Sequence, residues 1–136
     1  MAEELQFDED VKFDLIICNP PWLPENFVSG STLSKFDLDL GVYDPNEQFL
    51  KSMMNFAKFH MDEKKGELLV IYSDFASNLG KQNPQRMQQL ANQFGFSKIK
   101  MVSKVSMQVR KNAFDPLKNI KKKSFVQLWR ISKWIN

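Results

Sequence analysis

Residues 19–22 read Asn-Pro-Pro-Trp: one carboxamide, two stiff imino acids and a large aromatic ring. That set suits chemistry on an amine conjugated to a π system, such as the amino group of a base or a glutamine amide. The lone pair of such a nitrogen is delocalised. It attacks poorly unless acceptors hold its N–H groups and aim the lone pair at an electrophile. The Asn19 side-chain oxygen can be one acceptor and the Pro20 carbonyl a second. Pro20 and Pro21 fix both, so the orientation is built into the fold. Trp22 offers a flat face on which a planar base or amide can stack. The other reading of these residues is a rigid turn, since Asn-Pro starts turns, with Trp22 filling a gap in the core. No charged general base is required if the proton leaves after the new bond has formed.

What must position these groups is a strand. Leu15-Ile16-Ile17-Cys18 is a short continuous apolar run, which suits a strand buried on both faces. The strand is expected over 11–18 and must stop by Pro20, because two prolines cannot donate to a sheet ladder.

An apolar strand running into Asn19-Pro20-Pro21-Trp22 resembles the signature of class I S-adenosylmethionine-dependent methyltransferases that act on such amines. These are the adenine-N6, guanine-N2, glutamine-amide and small-domain enzymes. Asp44-Pro45-Asn46, a strand over 66–73, Asp115-Pro116-Leu117 and a strand over 124–130 are similar, in that order, to the later part of such a domain. The resemblance covers nearly the whole chain. It implies an α/β fold: a three-layer Rossmann-like methyltransferase sheet with strand order 3-2-1-4-5-7-6. This chain would supply strands 4, 5, 6 and 7, the last antiparallel. It implies S-adenosylmethionine as cofactor, Asn19 and Pro20 as catalytic residues, and Pro21 and Trp22 in substrate binding. The cofactor half of such a domain starts with a Gly-rich turn and an acidic residue for the ribose. Residues 1–18 contain no glycine, so that motif falls on no residue here. The expectation is an acidic lead-in over 1–10 and a substrate-side part over 11–136, binding S-adenosylmethionine weakly or not at all by itself. Its first strand, lacking one neighbour, would invite association as a homodimer.

The remaining elements follow in order. Residues 23–43 show no clear period and read as a long loop with a short helix, placing Phe27 and Phe36 near the substrate or in the core. Asp44 is a candidate N-cap, with Pro45 at the first helical position and Glu47 three residues after the cap. Phe49, Leu50, Met53, Phe56, Ala57 and Met61 share one helical face, and the helix should end before Gly66. His60, the one histidine, reads as an ordinary helix residue. A second strand is expected over 67–72. Asp74 follows at its carboxyl end, where open α/β sheets bind ligands; a helix or turn cap explains it as well. Asn83-Pro84 opens a helix with Met87, Leu90, Ala91 and Phe94 buried and Gly95 as its stop. Strands over 97–107 and 124–132 form an antiparallel pair joined by a polar, basic connection over 108–123.

Composition sets the partners. The chain has 136 residues, 43% hydrophobic, which is enough for one core. A single cysteine excludes an internal disulfide. The polar acidic start is not a signal peptide, and no apolar run approaches the ~20 residues that span a bilayer. A soluble cytoplasmic protein is expected, with no membrane partner. Charge is uneven: residues 98–136 carry eleven bases and one acid, net +10, against −7 for residues 1–97. An anionic partner for the C-terminal third is implied. Arg110, Lys111, Lys118, Lys121, Lys122 and Lys123 are the candidate nucleic-acid contacts, which favours a base in RNA or DNA over a protein glutamine as substrate. A non-catalytic nucleic-acid or protein-binding module derived from a methyltransferase is the rival reading.

Overall fold

The computed structural model describes residues 7–23, 44–80, 82–109 and 116–133. Their order is β1 (Leu15–Cys18), α1 (Gln48–His60), β2 (Glu67–Ser73), α2 (Phe75–Asn78), α3 (Arg86–Gln93), β3 (Lys98–Ser106), α4 (Lys118–Lys122) and β4 (Phe125–Ser132). The four strands form one mixed sheet in the order β1-β2-β4-β3. β1 runs parallel to β2, with Ile16 beside Leu68 and Cys18 beside Val70. β4 lies antiparallel to both β2 and β3, so β3 points the same way as β1 and β2. The protein is therefore α/β. No helix among the described residues is long and apolar enough to cross a membrane.

The alternation of strand side chains sorts the sheet into two faces. One face carries Ile16, Cys18, Leu68, Val70, Tyr72, Trp129 and Ile131. It packs against Leu50, Met54 and Ala57 of α1 and Met87, Leu90 and Ala91 of α3. This is the core; it takes Leu50, Ala57 and Met61 from the face read in the sequence, but Met54 is buried in place of Phe49, which is exposed. Among the described residues the other face is covered only at the carboxyl end of β2. There Leu23, Phe75 and Ala76 form a second, small cluster with Leu79, Met107, Leu117 and Ile120. Farther along that face Leu15 is 50% exposed, Ile17 63% and Val105 61%. The apolar run of β1 thus meets a packed layer on one side only, contrary to the expectation of burial on both.

Element ends differ from the sequence reading for local reasons. β1 begins at Leu15, and Phe13 makes an isolated bridge to Met61 instead of extending it. Phe7 packs edge-on against Phe13 at 5.3 Å and Phe56 at 5.8 Å, which ties the end of the acidic lead-in to α1. α1 starts at Gln48, not at Pro45, because Asn46 and Glu47 hold left-handed backbone (φ 56° and 57°). Asp44 still caps the helix, its carboxylate accepting the amides of Phe49 at 2.7 Å and Leu50 at 3.1 Å. Glu47, cast as the return arm of a capping box, points to Arg86 instead. α3 starts at Arg86, since Asn83 and Pro84 form a turn in which the Asn83 side chain accepts the Gln85 amide at 2.8 Å. Gly95, at φ 87°, closes α3 with Phe96 N–H donating to Ala91 O and Gly95 N–H to Asn92 O. That paired closure needs a residue free to adopt positive φ. His60 ends α1 with its Nδ1 2.9 Å from Val11 O.

Candidate functional site

β1 delivers Asn19 to the carboxyl end of the sheet. Asn19 is exposed and its carboxamide has no partner among the described residues, whereas Pro20 is buried beneath it. The turn is held at two further points. Trp22 Nε1 donates to Ile71 O at 3.3 Å, and Asp44 N–H donates to Leu23 O at 2.6 Å. Trp22 is half-buried and packs on the core cluster, so the core-filling role and an accessible part of the ring coexist in one side chain. Cys18, at the base of the turn, is not a nucleophile: burial, and secondarily the charge of Asp44, pushes its thiol up to about 12. The arrangement can hold an amine by two acceptors beside an aromatic edge.

A second polar group lies at the end of β2, beside the residue that anchors Trp22. Arg86 and Glu47 form a largely shielded ion pair, NH2 to Oε1 at 2.8 Å with Nε to both oxygens at 2.9 and 3.0 Å. Gln82 Nε2 donates to Glu47 Oε2 at 3.3 Å and to the Tyr72 hydroxyl at 3.1 Å. Burial pushes the Tyr72 phenol up to about 12, with the Glu47 and Asp44 charges adding and the Gln82 bond opposing, so it stays a neutral donor. A cavity of about 270 Å³ opens here, lined by residues of β2, α3 and β4 and the segments that join them.

Asp74 lines that cavity but does not join Asn19–Trp22, none of which lines it. Its Oδ1 accepts the Phe125 amide at 2.8 Å, while Ser73 Oγ donates to Phe125 O at 2.9 Å. Asp74 is thus a clasp between the end of β2 and the start of β4; it sits at the N-cap position of α2, but its side chain makes no capping hydrogen bond there. Of the basic candidates, Lys118, Lys121 and Lys122 lie on α4 and Lys123 directly after it. Arg110 and Lys111 lie outside the described residues, as do Phe27 and Phe36. Sequence reasoning missed Glu47, Tyr72, Gln82, Arg86 and Gln127 as a group. They come from five separate segments — the residue before α1, β2, the α2–α3 connection, α3 and β4 — and no spacing links them.

Asp44, the buried carboxylate beside β1, accepts the amides of Phe49 and Leu50 at the start of α1. No group of three or more metal-binding side chains occurs among the described residues. No protein-family model, curated protein or solved structure matches this chain.

Proposed function

We propose that this chain is the substrate-side part of an S-adenosylmethionine-dependent N-methyltransferase, acting on an amino group conjugated to a π system. The observation that carries the reading is the strand order. β1-β2-β4-β3, with β4 reversed, is the order 4-5-7-6 that the last four strands of such a domain would have, and Asn-Pro-Pro-Trp leaves the first of them. A chain of this length has many other ways to order four strands. The bare sheet face and the outer edge of β1 fall where the resemblance puts the first three strands and their helices. Those missing parts would bring the cofactor; the residues present bring the amine.

In this reading Asn19 Oδ1 and Pro20 O accept the two N–H bonds of the substrate amine. The nitrogen lone pair then points away from the protein, toward the methyl donor of the completed domain. Two fixed acceptors favour the state in which positive charge builds on nitrogen, and the proton departs to water afterwards. Trp22 supports the ring plane. Lysines of α4 favour a nucleic-acid substrate, adenine or guanine, over a protein glutamine. One rival is a binding module that kept the fold without catalysis. Incubating the complete protein with labelled S-adenosylmethionine and RNA, DNA or protein, then digesting and identifying the product, separates the two. An N-methylated base or methylglutamine is expected. Labelled product on oxygen or carbon, or none, overturns the assignment.

A further inference from the structure

The cavity at the carboxyl end of β2 has features that Asn19–Trp22 do not use. Its volume, about 270 Å³, is close to the lower end of the roughly 300–1,000 Å³ typical of ligand sites, so it suits one small ring system. Trp129 and Met87 give it apolar wall; Tyr72, Gln82 and Gln127 give it polar rim. The hydrogen bonds within this rim leave a defined remainder. Gln82 uses its Nε2 on Glu47 and Tyr72, which fixes the carboxamide and leaves Oε1 as an acceptor without a partner among the described residues. Tyr72 accepts from Gln82 and keeps its own hydrogen to donate. Gln127 Oε1 takes the Trp129 indole N–H at 3.0 Å, which leaves its Nε2 to donate. One acceptor and two donors on fixed side chains match a planar edge that itself mixes donors and acceptors. The lining carries one cation, Arg86, and one anion, Asp74; Arg86 is already paired with Glu47, so these three groups together leave one negative charge. A neutral ring is therefore favoured over an anionic one at this wall.

Asn78, on the rim, donates from Nδ2 to Ser124 Oγ at 3.0 Å, and Ser124 Oγ donates to Ile120 O at 2.8 Å. These bonds tie the rim to α4, where Lys122 and Lys123 are exposed. Two consecutive non-glycine residues in left-handed backbone, Asn46 and Glu47, hold the Glu47 carboxylate on Arg86 and Gln82. Strained backbone of this kind is kept where the surrounding structure fixes it, and it gathers at binding sites.

We propose that this cavity is a nucleobase pocket: it takes the neutral, planar base of one nucleotide, while Lys122 and Lys123 meet the adjoining phosphate. Gln and Asn carboxamides suit a base edge because donor and acceptor stand side by side, and Trp129 supplies apolar contact. The pocket does not depend on methyl transfer at Asn19, and a binding module without catalysis would keep it.

The test is an NMR titration of the isotope-labelled chain with adenosine, guanosine, cytidine and uridine, each as nucleoside and as 5′-monophosphate. Shifts are expected at the Gln82 and Gln127 side-chain amides and the Trp129 indole N–H, with at least one base preferred. Tyr72→Phe, which keeps the ring, should weaken that ligand by about 2- to 12-fold, the span of a single neutral hydrogen bond. Gln127→Ala should weaken it similarly. Replacing Lys122 and Lys123 together by Gln should weaken the monophosphate and leave the nucleoside unchanged. Shifts at Gln82, Gln127 and Trp129 are read apart from any at Asn19–Trp22, so the pocket and the methyl-transfer reading fail separately. No response to any nucleoside or nucleotide at millimolar concentration overturns the pocket. So do shifts confined to Asn19–Trp22, or an equal response to N-acetylglutamine amide.

Discussion

Trp22 carries two loads that different substitutions separate. Its indole N–H holds the turn to β2 through Ile71 O, and its ring face is what a substrate would meet. Trp22→Phe keeps an aromatic face and removes the donor. Stability to urea should fall by about 1 kcal/mol, with KM nearly unchanged in the complete enzyme. Trp22→Ala removes both and should also weaken substrate binding by about 1–3 kcal/mol. A KM that rises as much in the Phe variant as in the Ala variant would make Trp22 an anchor and nothing more. The role of Trp22 was only half legible in the sequence. The stiffness of Pro20-Pro21 announces a fixed turn, but nothing in the residue types says which backbone oxygen the indole will find. Asp74 illustrates the opposite case. Its place at a strand end suggested a ligand contact; it does line the cavity, and one of its oxygens also accepts the Phe125 amide, which no residue spacing announces.

Among the elements, those with a strong period were legible and those without were not. α1 and α3 bury most of the residues their spacing selects, although Phe49 stands exposed and Met54, which the sequence reading passed over, is fully buried; the strand centres of β2 and β4 fall on their apolar runs. α2 and α4, four and five residues long, are too short to show a period. They exist because Phe75, Ala76, Leu117 and Ile120 close the small second cluster. That packing also sets α4 as a basic element beside the cavity rather than a loose connection. If α4 and the residue after it contact nucleic-acid phosphates, neutralising Lys121, Lys122 and Lys123 should flatten the salt dependence of binding. The slope of log K against log salt should fall in magnitude by about 2–3 units, measured with a short single-stranded oligonucleotide. An unchanged slope would leave these lysines as solvated surface.

At the scale of the molecule, the sheet has one face covered and one largely bare among the described residues. Parallel strands such as β1 and β2 occur almost only with both faces covered. Here Leu15 and Ile17 stand open, and the outer side of β1 has no strand partner among the described residues. Between Asp14 and Cys18 there is no proline or lysine to discourage pairing. Phe7 packs on Phe13, Phe56 and His60, which places it beside the end of α1 and leaves Ile16 and Ile17 uncovered by it. The chain by itself should therefore associate, most simply as a two-fold dimer with β1 strands side by side. Sedimentation across low micromolar concentrations should show the dimer growing with concentration. A monomer whose Ile16 and Ile17 amides resist exchange would contradict this and point to a cover from within the chain. The fold class and strand sequence were legible because apolar runs and breakers mark them. The bare face was not, because β1 has the composition of a strand buried on both sides whether or not its second layer is present.

The central claim is that Asn19 acts on the amine as charge develops on it, rather than merely shaping a turn. Steady-state kinetics of Asn19→Ala, in the protein completed with its cofactor half, addresses it directly. An exposed carboxamide with no partner among the described residues should be removable without loss of fold, which circular dichroism and the urea midpoint check. The account predicts that kcat falls by about 10²-fold or more while KM changes little, the mark of an interaction made chiefly in the transition state. Turnover at the wild-type rate, or a rise in KM with kcat intact, would contradict it.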